Sequence, residues 1–220
     1  MTDFHSPAGG SYLFINPVVA AMAGDEYPAL LMHVAALGYQ VLDCPGAAAS
    51  VHLSHETALR GTAARPLIDQ RCPLVRQIVL QEYPGLADQL VVTPSILLTC
   101  ARDLHQQYVA AAPAKNSLTA ITPCQALVDA GDELGLSCLT FLTWSQFARR
   151  HNLSGRLNRI AESPIPPGFF QFDDFTVLET SGESAVRNTL TDAASQRCTA
   201  DFLEMLYCER GCHNGDGMAE

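Results

Sequence analysis

Positive charge is scarce in this chain. Its 220 residues carry 13 Lys and Arg against 23 Asp and Glu, a formal net charge of −10. A nucleic-acid footprint needs a basic surface to neutralise phosphates, so no nucleic-acid partner is expected. An acidic surface suits a basic redox partner, although it is also the ordinary state of a soluble protein. Charge of either sign is sparse, 16% of residues against 48% apolar. That balance excludes a disordered chain and predicts a globular one with a substantial core. Long apolar runs are missing as well. The run Tyr27–Leu37 is too short to span a bilayer and His33 interrupts it, so no membrane insertion is expected. The N-terminus lacks the basic start and continuous apolar stretch of a secretory signal, which predicts a cytoplasmic protein. In that compartment structural disulfides are rare, and the eight cysteines read as thiols or metal ligands. No P-loop or dinucleotide fingerprint, internal repeat or low-complexity segment is present.

What is present is alternation. Short β-branched or aromatic runs alternate with amphipathic stretches, the pattern of repeated βα units in an α/β fold with parallel sheets. The runs predict strands over 12–16, 39–43, 66–69, 117–122, 137–142, 175–179 and 201–206. Helices are predicted over 17–37 with Gly38 as C-cap, 47–59, 73–82, 94–108, 145–151 and 184–194. The proline-rich stretch 162–172 reads as a surface loop or a boundary between two lobes of one domain spanning 1–220.

Three cysteines follow predicted strands. Cys72 comes after PLIDQR, Cys124 after SLTAITP and Cys208 after ADFLEMLY, with Cys212 closing the loop CERGC. The carboxyl ends of parallel strands form one rim, where ligands bind. Cysteines distant in sequence can therefore surround one metal centre there. Four thiolates suit either tetrahedral zinc or a cubane iron–sulfur cluster. Zinc sites generally draw on two close pairs, whereas here one pair joins two singletons, which favours the cluster without deciding it.

These residues also carry a family resemblance. Cys72-Pro73 followed by LVRQIVLQEYPGLADQL, then Pro123-Cys124, then Glu204-Met-Leu-Tyr-Cys208-Glu-Arg-Gly-Cys212-His-Asn-Gly215 resemble in order the three motifs of the C-terminal cluster-binding domain of iron-only (FeFe) hydrogenases. The noncatalytic, sensor-type relatives are the nearer match. INPVVAAMAGDEYPALLMHVAALGY and VVTPSILLTCARDL are similar to further family segments, so the likeness runs from about Leu13 to Gly217. The resemblance implies a two-lobed fold with a cluster cleft, and one 4Fe–4S cluster held by Cys72, Cys124, Cys208 and Cys212.

The departures are as informative. Where catalytic members carry a proton-transferring cysteine, this chain has Arg71. Leu127 replaces a lysine that contacts the diiron site, and Leu206 a methionine that lines its pocket. The resemblance therefore implies an iron–sulfur protein of electron transfer or redox sensing that lacks hydrogen turnover, docked to a redox partner protein or a larger signalling complex. Two other classes stay open: an enzyme using another metal or a small substrate in the vacated pocket, and a zinc-bound or metal-free interaction module. Catalytic residues are not identified. Backbone amides of Gly211 and Asn214 could donate to cluster sulfur, and Arg71 or Arg210 could stabilise a reduced cluster, though each arginine reads first as a solvated surface residue. Cys44, in Asp-Cys-Pro, reads first as a spare buried thiol, with an extra ligand or a redox-active thiol as the alternatives. His52 and His55 share a helical face and could bind a metal, though a solvated or capping role is their ordinary reading. His213 adjoins Cys212 and could relay protons or replace a ligand, though its ordinary reading is surface exposure. Cys100, Cys138 and Cys198 read as core or spare thiols.

Overall fold

The computed structural model describes residues 9–154 and 157–218. Among them the strands are β1 (Ser11–Phe14), β2 (Tyr39–Val41), β3 (Leu67–Ile68), β4 (Ser117–Thr122), β5 (Leu139–Thr143), β6 (Val177–Ser181) and β7 (Phe202–Leu206). The α-helices are α1 (Pro17–Ala23), α2 (Tyr27–Ala36), α3 (Ala47–Gly61), α4 (Pro73–Glu82), α5 (Ile96–Tyr108), α6 (Gln125–Asp132), α7 (Trp144–Arg150) and α8 (Glu183–Ala194). Two sheets result, ordered β2-β1-β4-β5 and β3-β7-β6. Every named pairing is parallel, with Leu13 opposite Val41 and Thr119, and Ile68 opposite Leu203.

Alternating side chains build separate cores on the two faces of each sheet. Phe14, Leu118, Ala120 and Phe141 pack with Leu97, Ala101 and Leu104 of α5 and with Leu127 of α6. Their neighbours Leu13, Ile15 and Ile121 pack on the opposite side with α1 and with Trp144 and Phe147 of α7. In the smaller sheet, Ile68, Leu203 and Met205 face Val75 of α4 and Leu190 of α8, whereas Leu67 and Phe202 face Val51 and Leu59 of α3. Covered sheets of this kind need strands apolar on both faces. β7, buried at every residue, breaks that rule once, at Glu204.

Local chemistry sets the helix ends, and corrects two expected boundaries. The predicted helix over 17–37 is two helices. Asn16 caps α1 by accepting from the Val18 amide at 2.8 Å, but Gly24, at φ 54, turns the chain into a short 3₁₀ segment, and Pro28 helps seed α2. α5 begins at Ile96 rather than at Pro94, because Ser95 takes the capping position, accepting from the Leu98 amide at 3.1 Å. α6 was not among the predicted helices; it is amphipathic but only eight residues long, with a glycine near its end. Gly131 is needed where it stands, since a Cβ there would lie 2.5 Å from the Phe141 ring. The 162–172 stretch is irregular, as expected, yet Ser163 and Phe170 within it are buried.

One carboxylate fastens the start of the small sheet. Asp201 Oδ2 accepts from the Thr176 amide at 2.8 Å and its hydroxyl at 2.7 Å, and Arg65 Nε reaches Oδ1 at 3.2 Å. Led by the Thr176 amide, these donors hold the Asp201 carboxyl below its ordinary value. Asp201→Ala should cost about 1 kcal/mol at pH 7, held low by solvent screening. A depressed carboxyl stabilises the fold above its unfolded value and loses that contribution as pH falls through the folded one. The gap between wild type and variant in urea unfolding should therefore close below about pH 3. A gap unchanged in acid would show that packing, not the carboxylate, is what Asp201 supplies.

Candidate metal centre

The carboxyl ends of strands from both sheets converge on a cavity of ≈ 780 Å³. β1 delivers Ile15 and Asn16 to it, β3 Arg71 and Cys72, β4 Pro123 and Cys124, and β7 Leu206, Tyr207 and Cys208. Cys72 and Cys124 each immediately precede a helix, α4 and α6. Cys212 opens a 3₁₀ turn over Cys212–Asn214 and lines the same cavity. The structure thus brings all four expected cysteines to one place, and all eight cysteines are free thiols.

Glycines bring the last of them in. Gly211, at φ 116, passes so close to Ser163 that a Cβ would stand 2.8 Å from the Ser163 Cβ. Gly215 lies against the Pro123 carbonyl, which a Cβ would meet at 2.3 Å. The Gly217 amide then donates to that carbonyl at 3.0 Å, tying the C-terminal loop to the Pro123-Cys124 segment.

The four thiols act on one another electrostatically. Burial first, and then the neighbouring thiols Cys212, Cys72 and Cys208, push the Cys124 thiol well up. Burial and Cys72 push Cys208 up to about 11, and burial, Cys72 and Cys208 push Cys212 up to about 12. Cys72 is raised by burial against the opposing pull of backbone amides from Tyr207, Val75 and Leu74. The Leu127 amide similarly approaches Cys124. The amides expected to donate to sulfur, those of Gly211 and Asn214, are instead spent on the carbonyls of Cys208 and Gly211 at 3.2 Å each.

Arg71 corrects its surface reading, because it is buried. Nε lies 2.7 Å from Asp69 Oδ2, and Nη2 donates to Glu204 Oε1. The guanidinium carbon sits 4.7 Å from the centroid of the Phe170 ring and 5.6 Å from that of Phe169. Glu204 also accepts from the Phe169 and Phe170 amides at 3.1 and 3.0 Å. Its carboxyl is nevertheless raised, since burial outweighs Arg71 and the amides. On the far side, His55 Nε2 stands 3.3 Å from Asp69 Oδ1. The His55 Nδ1–H donates to the Val51 carbonyl at 2.8 Å. His55 is fully buried, correcting its expected exposure, and helps hold this charged chain behind Cys72.

The other expected residues divide. His213 is buried rather than exposed, with Nδ1 unpartnered. His52 is outside the cavity wall, its Nε2 3.0 Å from the Gln171 carbonyl. Arg210 is exposed, as read. Cys44 and Cys100 line the cavity, whereas Cys138 is exposed and Cys198 lies elsewhere. The sequence reading missed Asp69, Ser163, Phe169 and Phe170. Of these only Asp69, at the end of a strand two residues before the Arg-Cys pair, left a readable mark.

Two cavity-lining donors suit an electron-rich occupant. Ser163 Oγ and Arg71 Nη1 are buried and lack hydrogen-bond partners. A buried donor without an acceptor costs free energy, about 1–3 kcal/mol. Thiolate and sulfide would accept from both, so the donor set fits a thiolate-ligated iron–sulfur group. Among the described residues no three His, Cys, Asp or Glu side chains are grouped to hold a single metal ion.

The sequence matches no protein-family model and no curated protein. Solved structures do resemble it. An FeFe-hydrogenase HydA structure that reveals stepwise H-cluster assembly aligns over 100% of this chain and 82% of its own, with TM-score 0.69 at 12% identity. HydA1 from Chlamydomonas reinhardtii, as the apo form of a cysteine-to-histidine variant, aligns over 99% of this chain and 81% of its own, with TM-score 0.64 at 13% identity. A glutamate-to-alanine variant of the same hydrogenase gives 0.69 at 13% identity, over 100% and 82%. No helix among the described residues is long and apolar enough to cross a membrane. Identity this low speaks to architecture alone, and on that ground the chain has the mixed α/β, parallel-sheet fold of the FeFe-hydrogenases.

Proposed function

We propose that Cys72, Cys124, Cys208 and Cys212 hold one 4Fe–4S cluster, and that the protein serves electron transfer or redox sensing without a hydrogen-producing diiron site. The observation that carries this reading is the arrival of four free thiols from both sheets at one cavity. When bound, such a cluster supplies one-electron exchange. A single zinc ion at about 2.3 Å from each sulfur would need the four thiols drawn tightly together.

The chain's own residues would set the properties of that centre. The four thiols give up their protons on binding, so affinity rises with pH. Amides of Leu74, Val75, Tyr207 and Leu127 donate toward ligand sulfur, and such bonds tune the redox potential. Leu127, Leu206 and Ile96 present hydrocarbon to the cavity. At the position that the resemblance gives to a proton-carrying thiol, Arg71 is a permanent cation held by two carboxylates. It carries no proton in or out, which argues against hydrogen turnover. The acidic surface suits a basic redox partner in the cytoplasm, with 1–220 acting as one unit.

Oxygen-free reconstitution with iron and sulfide tests the assignment. About four irons and four sulfides should bind per chain, with a broad visible absorption. Cys124→Ala should lose most of that iron. Stoichiometric zinc in place of iron, or unchanged iron in Cys124→Ala, would refute it.

A further inference from the structure

Two thiols in the cavity wall take no part in the proposed cluster. Cys44 is half-buried in the turn between β2 and α3, beside exposed Asp43 and Pro45. Cys100 is on α5, 2% exposed. The Cys100 Sγ donates to the Cys44 carbonyl at 3.8 Å. Both pack in the same apolar cluster, which holds the turn against the helix. A thiol seated against the backbone of a second cysteine, on a separate element and in the same apolar cluster, is placed to bond with it.

Their surroundings differ. Burial, followed by the adjacent Cys44, pushes the Cys100 thiol far up, which makes it inert toward outside reagents. Cys44 sits at the surface end of the pair and is the one a reagent reaches. That asymmetry is the division of labour seen in thiol–disulfide exchange, where one thiol is attacked from outside and its neighbour resolves the mixed disulfide.

We propose that Cys44 and Cys100 form a reversible redox-active dithiol whose oxidant is a low-molecular-weight disulfide. Cys44, losing its proton, attacks one sulfur of the reagent; the reagent's S–S bond breaks and its first thiol leaves with that proton. Cys100 then loses its own proton and attacks the Cys44 sulfur. The mixed disulfide breaks, and the second thiol leaves carrying the second proton. The protein gives up two electrons and two protons, and the reagent takes both. The resulting link ties the β2–α3 turn to α5 in the wall of the cavity. Neither thiol is among the four cluster ligands, so the inference stands apart from the cluster reading.

The test equilibrates the protein, as isolated and after iron–sulfide loading, in mixtures of reduced and oxidised glutathione under nitrogen. Acid quenching, alkylation and peptide mass mapping then locate every disulfide. A Cys44–Cys100 linked peptide should appear in both preparations, grow with the oxidised fraction and vanish with dithiothreitol. In Cys100→Ser the glutathione adduct should instead accumulate on Cys44, and in Cys44→Ser neither link nor adduct should form at Cys100. The proposal is overturned if no Cys44–Cys100 link forms at any ratio, or if either thiol pairs chiefly with Cys72, Cys124, Cys208 or Cys212. Because iron is measured separately, a failure of the cluster assignment leaves this result readable.

Discussion

Arg71→Met is expected to lower the free energy of unfolding by about 3–5 kcal/mol at neutral pH, the cost of removing one partner from a buried ion network. Asp69 and Glu204 are both fully buried, and each now faces the Arg71 guanidinium. Methionine would fill much of the space but supply no donor. Some compensation remains, since His55 still stands by Asp69 and the Phe169 and Phe170 amides still donate to Glu204. These partners place the loss toward the lower end of the range. Its pH dependence has a definite sign. Burial already raises the Glu204 carboxyl, and removing Arg71 raises it further. A group raised in the folded state stabilises below its unfolded value and loses that contribution as pH rises through the folded one. The deficit of Arg71→Met should therefore shrink as pH falls toward about 4. Adding Glu204→Gln to Arg71→Met should recover part of the loss at pH 7, because an amide carries no charge to bury. Urea unfolding of wild type, Arg71→Met and the double variant at both pH values checks this. A loss under about 1 kcal/mol would mean that water reaches the network.

The same residues show how far the sequence could be read. Strand-exit positions for Cys72, Cys124 and Cys208 followed from alternation of apolar runs with helical stretches; the structure brings them to one cavity, but from two sheets rather than from one rim. The parallel sheets were legible for the same reason. Gly211 and Gly215 were visible as letters, but only the packing against Ser163 and Pro123 shows why they must be glycine. The charged chain behind Cys72 was not legible. His55, Asp69, Arg71 and Glu204 are polar letters, and a polar letter reads as solvent-exposed until its partners are known. Those partners lie up to 149 residues apart along the chain, between His55 and Glu204, and no local window contains them. α6 was missed because eight residues with a glycine among them make a short window, although its apolar residues Leu127 and Val128 do share a buried face.

Phe170 is where the missed loop and the missed charges meet, and its removal should be the most damaging single apolar truncation near the site. The proline-rich segment around it reads as a surface loop, yet Phe170 is 1% exposed. Its ring centroid lies 4.5 Å from that of His55 and 5.5 Å from that of Phe202, edge-on to the latter. The Arg71 guanidinium stands over the ring at 4.7 Å, while the Phe170 amide donates to Glu204. Phe170→Ala should cost about 3–5 kcal/mol, the usual range for a phenylalanine removed from a packed core. Phe170→Leu keeps most of the volume and loses chiefly the ring face, so about 1–2 kcal/mol is expected. The decisive measurement is the combination with Arg71→Met. Opening the Phe170 position would let water reach the carboxylates, so the cation would have less to compensate. The double variant should then lose less than the sum of its parts, by about 0.5–3 kcal/mol, as contacting residues do. Strict additivity would show that the ring and the guanidinium, though in contact, stabilise the fold independently. A shortfall would show that the loop excludes water from the charged chain behind Cys72, and so helps fix the strand end that presents this thiol to the cavity.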